Sequence, residues 1–174
     1  QGLKRWQQSA PPHTVLSAIA AVGDPMQVVA AGMVLAASRQ VGVLLAGGAQ
    51  MLAVYAISQA LSNQNPFDQN RPTHPPGTKK ISWEAHRVVV GTTRWVIDDE
   101  SADTQAIAQA IGAPYLASEI NFSQSQYVQL RAYEQGFVKE GVGAGGCAIA
   151  AHLYQGWNGS QIRHAVEAEL RRCL

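Results

Sequence analysis

Long apolar blocks, cut by glycines and by short polar stretches, organise this chain from its second decade of residues to its end. Val15 to Val22 reads as a short apolar helix that stops at Gly23. Asp24-Pro25 is a strong start signal. Asp accepts from the orphan amides of a first turn, and Pro at the first helical position gives up an N–H that had no partner there. The helix is predicted to run to about Arg39. Val28, Val29, Gly32, Met33, Ala36 and Ala37 form its inner side, small enough for close packing on a sheet.

Val41 to Ala46 is a continuous apolar run of strand length, the pattern of a strand covered on both faces, and Gly47-Gly48 ends it. A helix over about Ala49 to Leu61 follows, so strand, glycine turn and helix make the front half of a βαβ unit. Ser62 to Lys80 is polar and proline-rich, long for a loop in a compact domain, and is expected to be functional or mobile. His86 to Gly91 is the second strand, with Thr92-Thr93 just past it. Ser101 is placed to cap a helix over 102–111 closed by Gly112, and Pro114 to Ser118 is a third strand.

Ser123 or Ser125 opens a helix that reaches Gln135 and stops at Gly136. After the glycine cluster at 141–146, Cys147 to Tyr154 reads as helix. Ser160 is placed to cap a final amphipathic helix through Arg172, with Ile162, Val166 and Leu170 inward and Arg171 and Arg172 at the negative end of the helix dipole. Strands alternating with helices imply an α/β protein, a parallel sheet layered with helices in a Rossmann-like three-layer arrangement, formed by 1–174 as one domain. Three strands make a narrow sheet for so apolar a chain, which points to further strands in a longer protein.

Composition sharpens this picture. Hydrophobic residues make up 47% and charged residues 14%, against about 25% charged in a typical domain, which rules out disorder. Thirteen Lys plus Arg against twelve Asp plus Glu leave a net charge of +1, so no basic face is available for a nucleic-acid backbone. So little charge implies apolar surface covered by a partner or by a missing remainder of the protein, and of the two a homo-oligomer is expected. The apolar stretches at 28–37 and 41–60 are broken by Ser38-Arg39-Gln40, Gly47-Gly48 and Gln50, short of the roughly 20 unbroken residues a spanning helix needs. The chain opens on Gln1 with neither an initiator Met nor an apolar leader, and is expected to be processed or cut from something longer. Cys147 and Cys173 form no Cys-x-x-Cys pair and read as ordinary thiols of a reducing, cytoplasmic compartment.

The densest chemical signal is Val138-Lys-Glu-Gly-Val-Gly-Ala-Gly-Gly146 at a helix start. Gly141, Gly143 and Gly146 satisfy G-x-G-x-x-G. The dinucleotide fingerprint, however, must follow a strand, and helix precedes it here; no Lys-Ser or Lys-Thr follows to make a P-loop. The segment offers free amides and a bare backbone, a natural anion site. Glu140 at its edge is held ionised by the helix N-terminus and weakened as a base, while a phosphate in the same nest would push the other way. It becomes a useful base if a flat apolar ring desolvates it. The other reading is that the small residues let two helices touch and leave Glu140 exposed, and the residues alone leave both open. Gly47-Gly48 and Gly91-Thr92-Thr93 fall at strand ends, where open α/β sheets place ligands. Asp98, Asp99, Glu100 and Asp103 have the oxygen ligands for Mg²⁺ but read more simply as acids at a helix start. The five histidines lack ligand spacing, so no metal is assigned, and no nucleophile motif supports covalent catalysis.

Taken in order, Ala21-Val-Gly-Asp-Pro-Met-Gln, the Ala/Gly-rich helix, Val43-Leu-Leu-Ala-Gly-Gly-Ala-Gln-Met and Lys139-Glu-Gly-Val-Gly-Ala-Gly-Gly resemble the C-terminal half of the nicotinate-nucleotide–dimethylbenzimidazole phosphoribosyltransferase (CobT-like) family, over roughly Val15 to Leu153. The resemblance implies a parallel α/β fold, a homodimer, no cofactor, and two small-molecule substrates, nicotinate mononucleotide and an aromatic base. The phosphoribosyl group would pass to the base, releasing nicotinate and giving an α-riboside 5′-phosphate for cobamide assembly. Glu140 matches the family's catalytic glutamate, which takes the proton from a ring nitrogen of the attacking base. Gly141 and Gly143 match the backbone beside it, and Gly91 and Thr92 fall near where the family contacts the nucleotide, while Thr93, Gly47 and Gly48 are expected to bind substrate from their strand-end position alone. Nothing here corresponds to the family's other glycine-rich phosphate segment, which lies in its N-terminal half, so the chain is expected to be inactive alone.

Overall fold

A computed structural model describes residues 1–9, 13–63, 82–137 and 142–174. In chain order the elements are α1 (Gly2–Gln7), α2 (Val15–Val22), α3 (Pro25–Ala37), β1 (Val43–Ala46), α4 (Ala49–Asn63), β2 (Val88–Thr93), α5 (Arg94–Ile97), α6 (Thr104–Ile111), β3 (Tyr115–Ser118), α7 (Val128–Glu134), α8 (Val142–Gln155) and α9 (Gly159–Cys173). The architecture is α/β, a three-stranded parallel sheet in the order β1-β2-β3 flanked by helices, as a Rossmann-like layered fold requires. Two compact units are distinguished, Gln1–Val43 with Ala53–Val88, and Leu44–Leu52 with Val89–Leu174.

The first unit is helical. Trp6 Nε1 on α1 donates to Ser17 Oγ on α2 at 2.9 Å, and Thr14 closes a capping box with Ser17. Asp24 caps α3 with its own box to Gln27, as the Asp-Pro signal predicts. Which face of α3 is buried is a correction to the sequence reading. Ala31, Val34 and Leu35 are buried, followed by Ser38, while Val29 and Met33 are 65% and 68% exposed and Gly32 and Ala36 are exposed too. The helix is apolar almost all round, so periodicity alone could not choose a side. Ser38 Oγ accepts the Glu84 amide at 3.4 Å, and Arg87 donates to the Arg39 carbonyl at 3.1 Å. Tyr55 is buried edge-on against Trp83, with ring centroids 4.9 Å apart.

The second unit carries the sheet. Residues Val90 to Thr93 pair in parallel with Tyr115 to Ser118, so Gly91, Thr92 and Thr93 are the last residues of β2 and not a loop beyond it. Gly47 extends the pairing next to β1, its amide donating to the Gly91 carbonyl at 2.8 Å. Ile120, Phe122 and Leu130 form a buried cluster against which Trp95, Tyr133, Ile162, Val166 and Leu170 pack, so the inward stripe of α9 falls where its period places it.

Several helix starts depart from the sequence expectation. Asp103, not Ser101, caps α6, because Ser101 is engaged by Asp99, which accepts from both its amide and its hydroxyl. Asn158, not Ser160, caps α9 through a box with Gln161. The helix expected from Ser123 or Ser125 begins only at Val128, since Asn121 holds Ser123 in a turn and Ser125 Oγ accepts the Tyr127 amide. Glycine does not delay α8, which starts at Val142 inside the glycine cluster. The segment at 62–80 lies outside the described residues, apart from Ser62 and Asn63 at the end of α4.

Candidate functional site

The carboxyl ends of β1 and β2 lie side by side in the second unit, and the first turns of α8 are laid on them. Three glycines show how closely. A Cβ on Gly145 would stand 2.0 Å from the Thr92 carbonyl carbon and 2.3 Å from the Thr93 amide nitrogen. One on Gly146 would stand 2.4 Å from Ala46 Cβ, and one on Gly143 3.6 Å from the Ala46 oxygen. Gly91 beneath is equally confined, with Leu44 Cδ1 and Ile149 Cδ1 at 2.8 and 2.9 Å from where its Cβ would be. The small residues therefore let a helix touch a sheet, where the sequence left open a loop approaching a ligand or two helices in contact.

Gly47, Gly91, Thr92, Thr93 and Gly143 are thus gathered at one edge of the sheet, and Gly48 follows on the same turn, 3.4 Å from Val96 Cγ1 by its missing Cβ. Gly47, Gly48, Gly91, Thr92 and Thr93 are buried, while Gly143 is partly accessible. Gly91 and Thr92 are occupied in packing under α8, and Thr92 Oγ1 is buried with no hydrogen-bond partner among the described residues. Glu140 and Gly141 lie outside the described residues. In sequence they directly precede α8, whose first amides have no partner within the helix.

Arg94 follows the end of β2, a cation that no sequence motif marks. It is committed to structure. Its Nε donates to the Ile120 carbonyl at 3.2 Å, an Nη pairs with Glu134, and its guanidinium lies 5.6 Å from the centre of the Trp95 ring. The acidic group at 98–103 is likewise used locally, Asp103 as the cap of α6 and Asp99 in the turn with Ser101. Among the described residues no three His, Cys, Asp or Glu side chains gather as a metal site. No described helix is long and apolar enough to cross a membrane.

A second concavity opens between β3, the later turns of α8 and the start of α9. Its volume is about 400 Å³, with Ile120, Ile149, Trp157, Ser118, His152 and Asn158 among its lining. His152 Nδ1 sits 2.9 Å from the Trp157 carbonyl, which can only accept, so Nδ1 carries a proton and Nε2 is left with a lone pair when the ring is neutral. Ser118 in its lining pairs with Thr93, and Ile149 also packs against Gly91, so this concavity adjoins the strand-end site along the same edge of the sheet, with His152 ten residues of helix, about 15 Å, from the start of α8. No sequence motif marks it, because its lining is drawn from three elements and is mostly apolar.

No family model matches the chain. It is 51% identical over 168 residues to a UPF0284 protein of Cyanothece sp., covering 97% of this chain and 42% of that protein. A UPF0284 protein of Acaryochloris marina is 53% identical over 156 residues, covering 89% and 38%, and one of Gloeothece citriformis is 54% identical over 151 residues, covering 86% and 37%. The chain spans about two fifths of the length of the curated relatives it matches.

Proposed function

We propose that the chain is the C-terminal, base-activating portion of a cytoplasmic, homodimeric phosphoribosyltransferase of the CobT-like kind, acting as part of a longer protein. The observation that carries this reading is the seating of α8. Its glycines bring a helix N-terminus onto the carboxyl ends of β1 and β2, the edge where open parallel sheets bind nucleotides and phosphates.

A ring nitrogen of the acceptor base attacks the ribose C1′ of nicotinate mononucleotide. The bond from C1′ to the nicotinate nitrogen breaks, nicotinate leaves with that electron pair, and the proton of the base's other ring nitrogen passes to Glu140. Gly143 and the unpaired amides of the first turn of α8 then face developing or fixed negative charge. Desolvation of the carboxylate by the flat base supplies the basicity that a helix start would otherwise remove.

A second reading, a non-catalytic nucleotide-binding or assembly module, draws on the burial of Gly91, Thr92 and Thr93, which leaves little of the strand end open to a substrate. One experiment separates the two. The full-length protein is incubated with nicotinate mononucleotide and dimethylbenzimidazole or a purine, and nicotinate release is followed by chromatography. Ribosylated base is expected, and Glu140→Gln should lower the rate by about 100-fold or more, the scale of a lost general base. An unchanged rate in that variant removes Glu140 from the chemistry. Nucleotide that binds in calorimetry while no base is ribosylated favours the module.

A further inference from the structure

We propose that the outward face of α3 is an internal interface of the longer protein, covered by an apolar helix from the part that the relatives carry beyond the matched region. The inference is independent of the reaction proposed above.

The sequence of α3, PMQVVAAGMVLAA, contains no charged residue, and Gln27 is its one polar side chain. Helices that are apolar all round belong to protein interiors, since water on any face strands apolar area. One face meets that demand, with Ala31, Val34 and Leu35 at 0%, 3% and 6% exposure. The opposite face does not. Met26, Val29 and Met33 are 40%, 65% and 68% exposed, and the exposed Ala36 continues the same row.

The intervals along that row are three, four and three residues, which line up as one stripe on a helix and form the seam that a second helix fills. Gly32 stands beside the stripe with nothing within 4 Å of where its Cβ would be, so a facing backbone can come close there. The stripe therefore asks for a helix of its own kind, apolar and close-packed, and not for a charged or nucleic-acid partner.

Relative length identifies the source. The match to the Cyanothece protein uses 97% of this chain yet 42% of that protein, so more than half of the relative is sequence with no counterpart here. A second copy is the poorer fit. Two α3 helices crossing bring together only 13 residues each, about 20 Å of helix, well short of the roughly 800 Å² per partner of a stable interface.

The test is thiol accessibility at position 33. Met33→Cys is made in this chain, and cysteine is placed at the aligned position of the full-length Cyanothece relative. Maleimide labelling is read by mass spectrometry at that site, because Cys147 and Cys173 are themselves exposed. Labelling should be fast in this chain and at least ~100-fold slower in the full-length protein, the protection of a site that reacts only through rare opening. Lysine at the same position should leave the circular dichroism of this chain unchanged but cost the full-length protein several degrees of Tm. Equal labelling rates in the two proteins overturn the proposal. So does slow labelling in this chain together with a mass of twice 18.6 kDa by light scattering, or protection in the full-length protein that disappears on dilution to monomer, since both place a second copy on the face.

Discussion

Gly145 rides on the peptide unit that joins Thr92 to Thr93: a single methyl group on it would stand 2.0 Å from the carbonyl carbon, 2.2 Å from its oxygen and 2.3 Å from the next nitrogen. No rotamer change relieves such a contact, because the obstacle is backbone. Gly145→Ala must push α8 off the sheet and should cost about 3 kcal/mol or more in urea unfolding, the upper range of overpacking. Gly143→Ala, two residues earlier, meets only the Ala46 oxygen at 3.6 Å and should gain up to about 1 kcal/mol from helix propensity. A Gly145→Ala protein as stable as the parent would show that α8 is not seated this way.

Glu134 ties three segments together. Its carboxylate accepts the Phe122 amide at 2.7 Å and pairs with Arg94, and its side chain is only 15% exposed. Glu134→Ala leaves both donors without their acceptor and should destabilise by about 2 kcal/mol. Glu134→Gln keeps an oxygen for Phe122 and should recover about half of that. Near-ultraviolet circular dichroism of the neighbouring Trp95 and Tyr133 reports whether the cluster survives; equal losses in the two variants would leave the Phe122 bond without weight.

Asp103 holds the left-handed conformation, with φ of 41°, while its side chain accepts the Ala106 amide at 3.3 Å. Alanine there loses the cap and keeps the strained backbone, so Asp103→Ala should lower stability by about 1–2 kcal/mol. Glycine relieves the backbone, and Asp103→Gly should stay within a few tenths of a kcal/mol of the parent. Thermal unfolding of the pair gives the order, and a glycine variant worse than the alanine one contradicts it.

Burial raises the Tyr55 hydroxyl above its ordinary pKa of 10.0. The folded state therefore keeps its proton where the unfolded chain has begun to lose it. That contribution is fully present below the unfolded value and is lost as pH rises through the folded one. Stability should fall above about pH 10 and the fall should be shallower in Tyr55→Phe, compared by urea unfolding from about pH 8 to about pH 11. Parallel curves for the two proteins would assign the alkaline loss to other groups.

Local chemistry made much of the fold legible. Asp24-Pro25 and Gly23 mark their boundaries because a cap and a stop are properties of a few neighbouring residues. The stripe Ile162, Val166, Leu170 was readable because the rest of α9 is polar, whereas α3, apolar on every side, offered no contrast from which to choose a face. The capping residues of α6 and α9 were misplaced where two candidate side chains stood close together and only the turn geometry decides between them. At the site, strand-end position was enough to bring Gly47, Gly91 and Thr92 together. The burial of Gly91 and Thr92 was not foreseeable, because it depends on α8 arriving from fifty residues further along the chain.

The glycines that let α8 settle on the strands also make it a poor helix by itself. Gly143, Gly145 and Gly146 together forfeit about 3 kcal/mol of intrinsic preference relative to alanine, so this end of the helix is ordered chiefly by what lies beneath it. Rigidity here is on loan from β1 and β2: whatever loosens those strands loosens the helix start with them, and a ligand that braces the sheet edge would steady both at once.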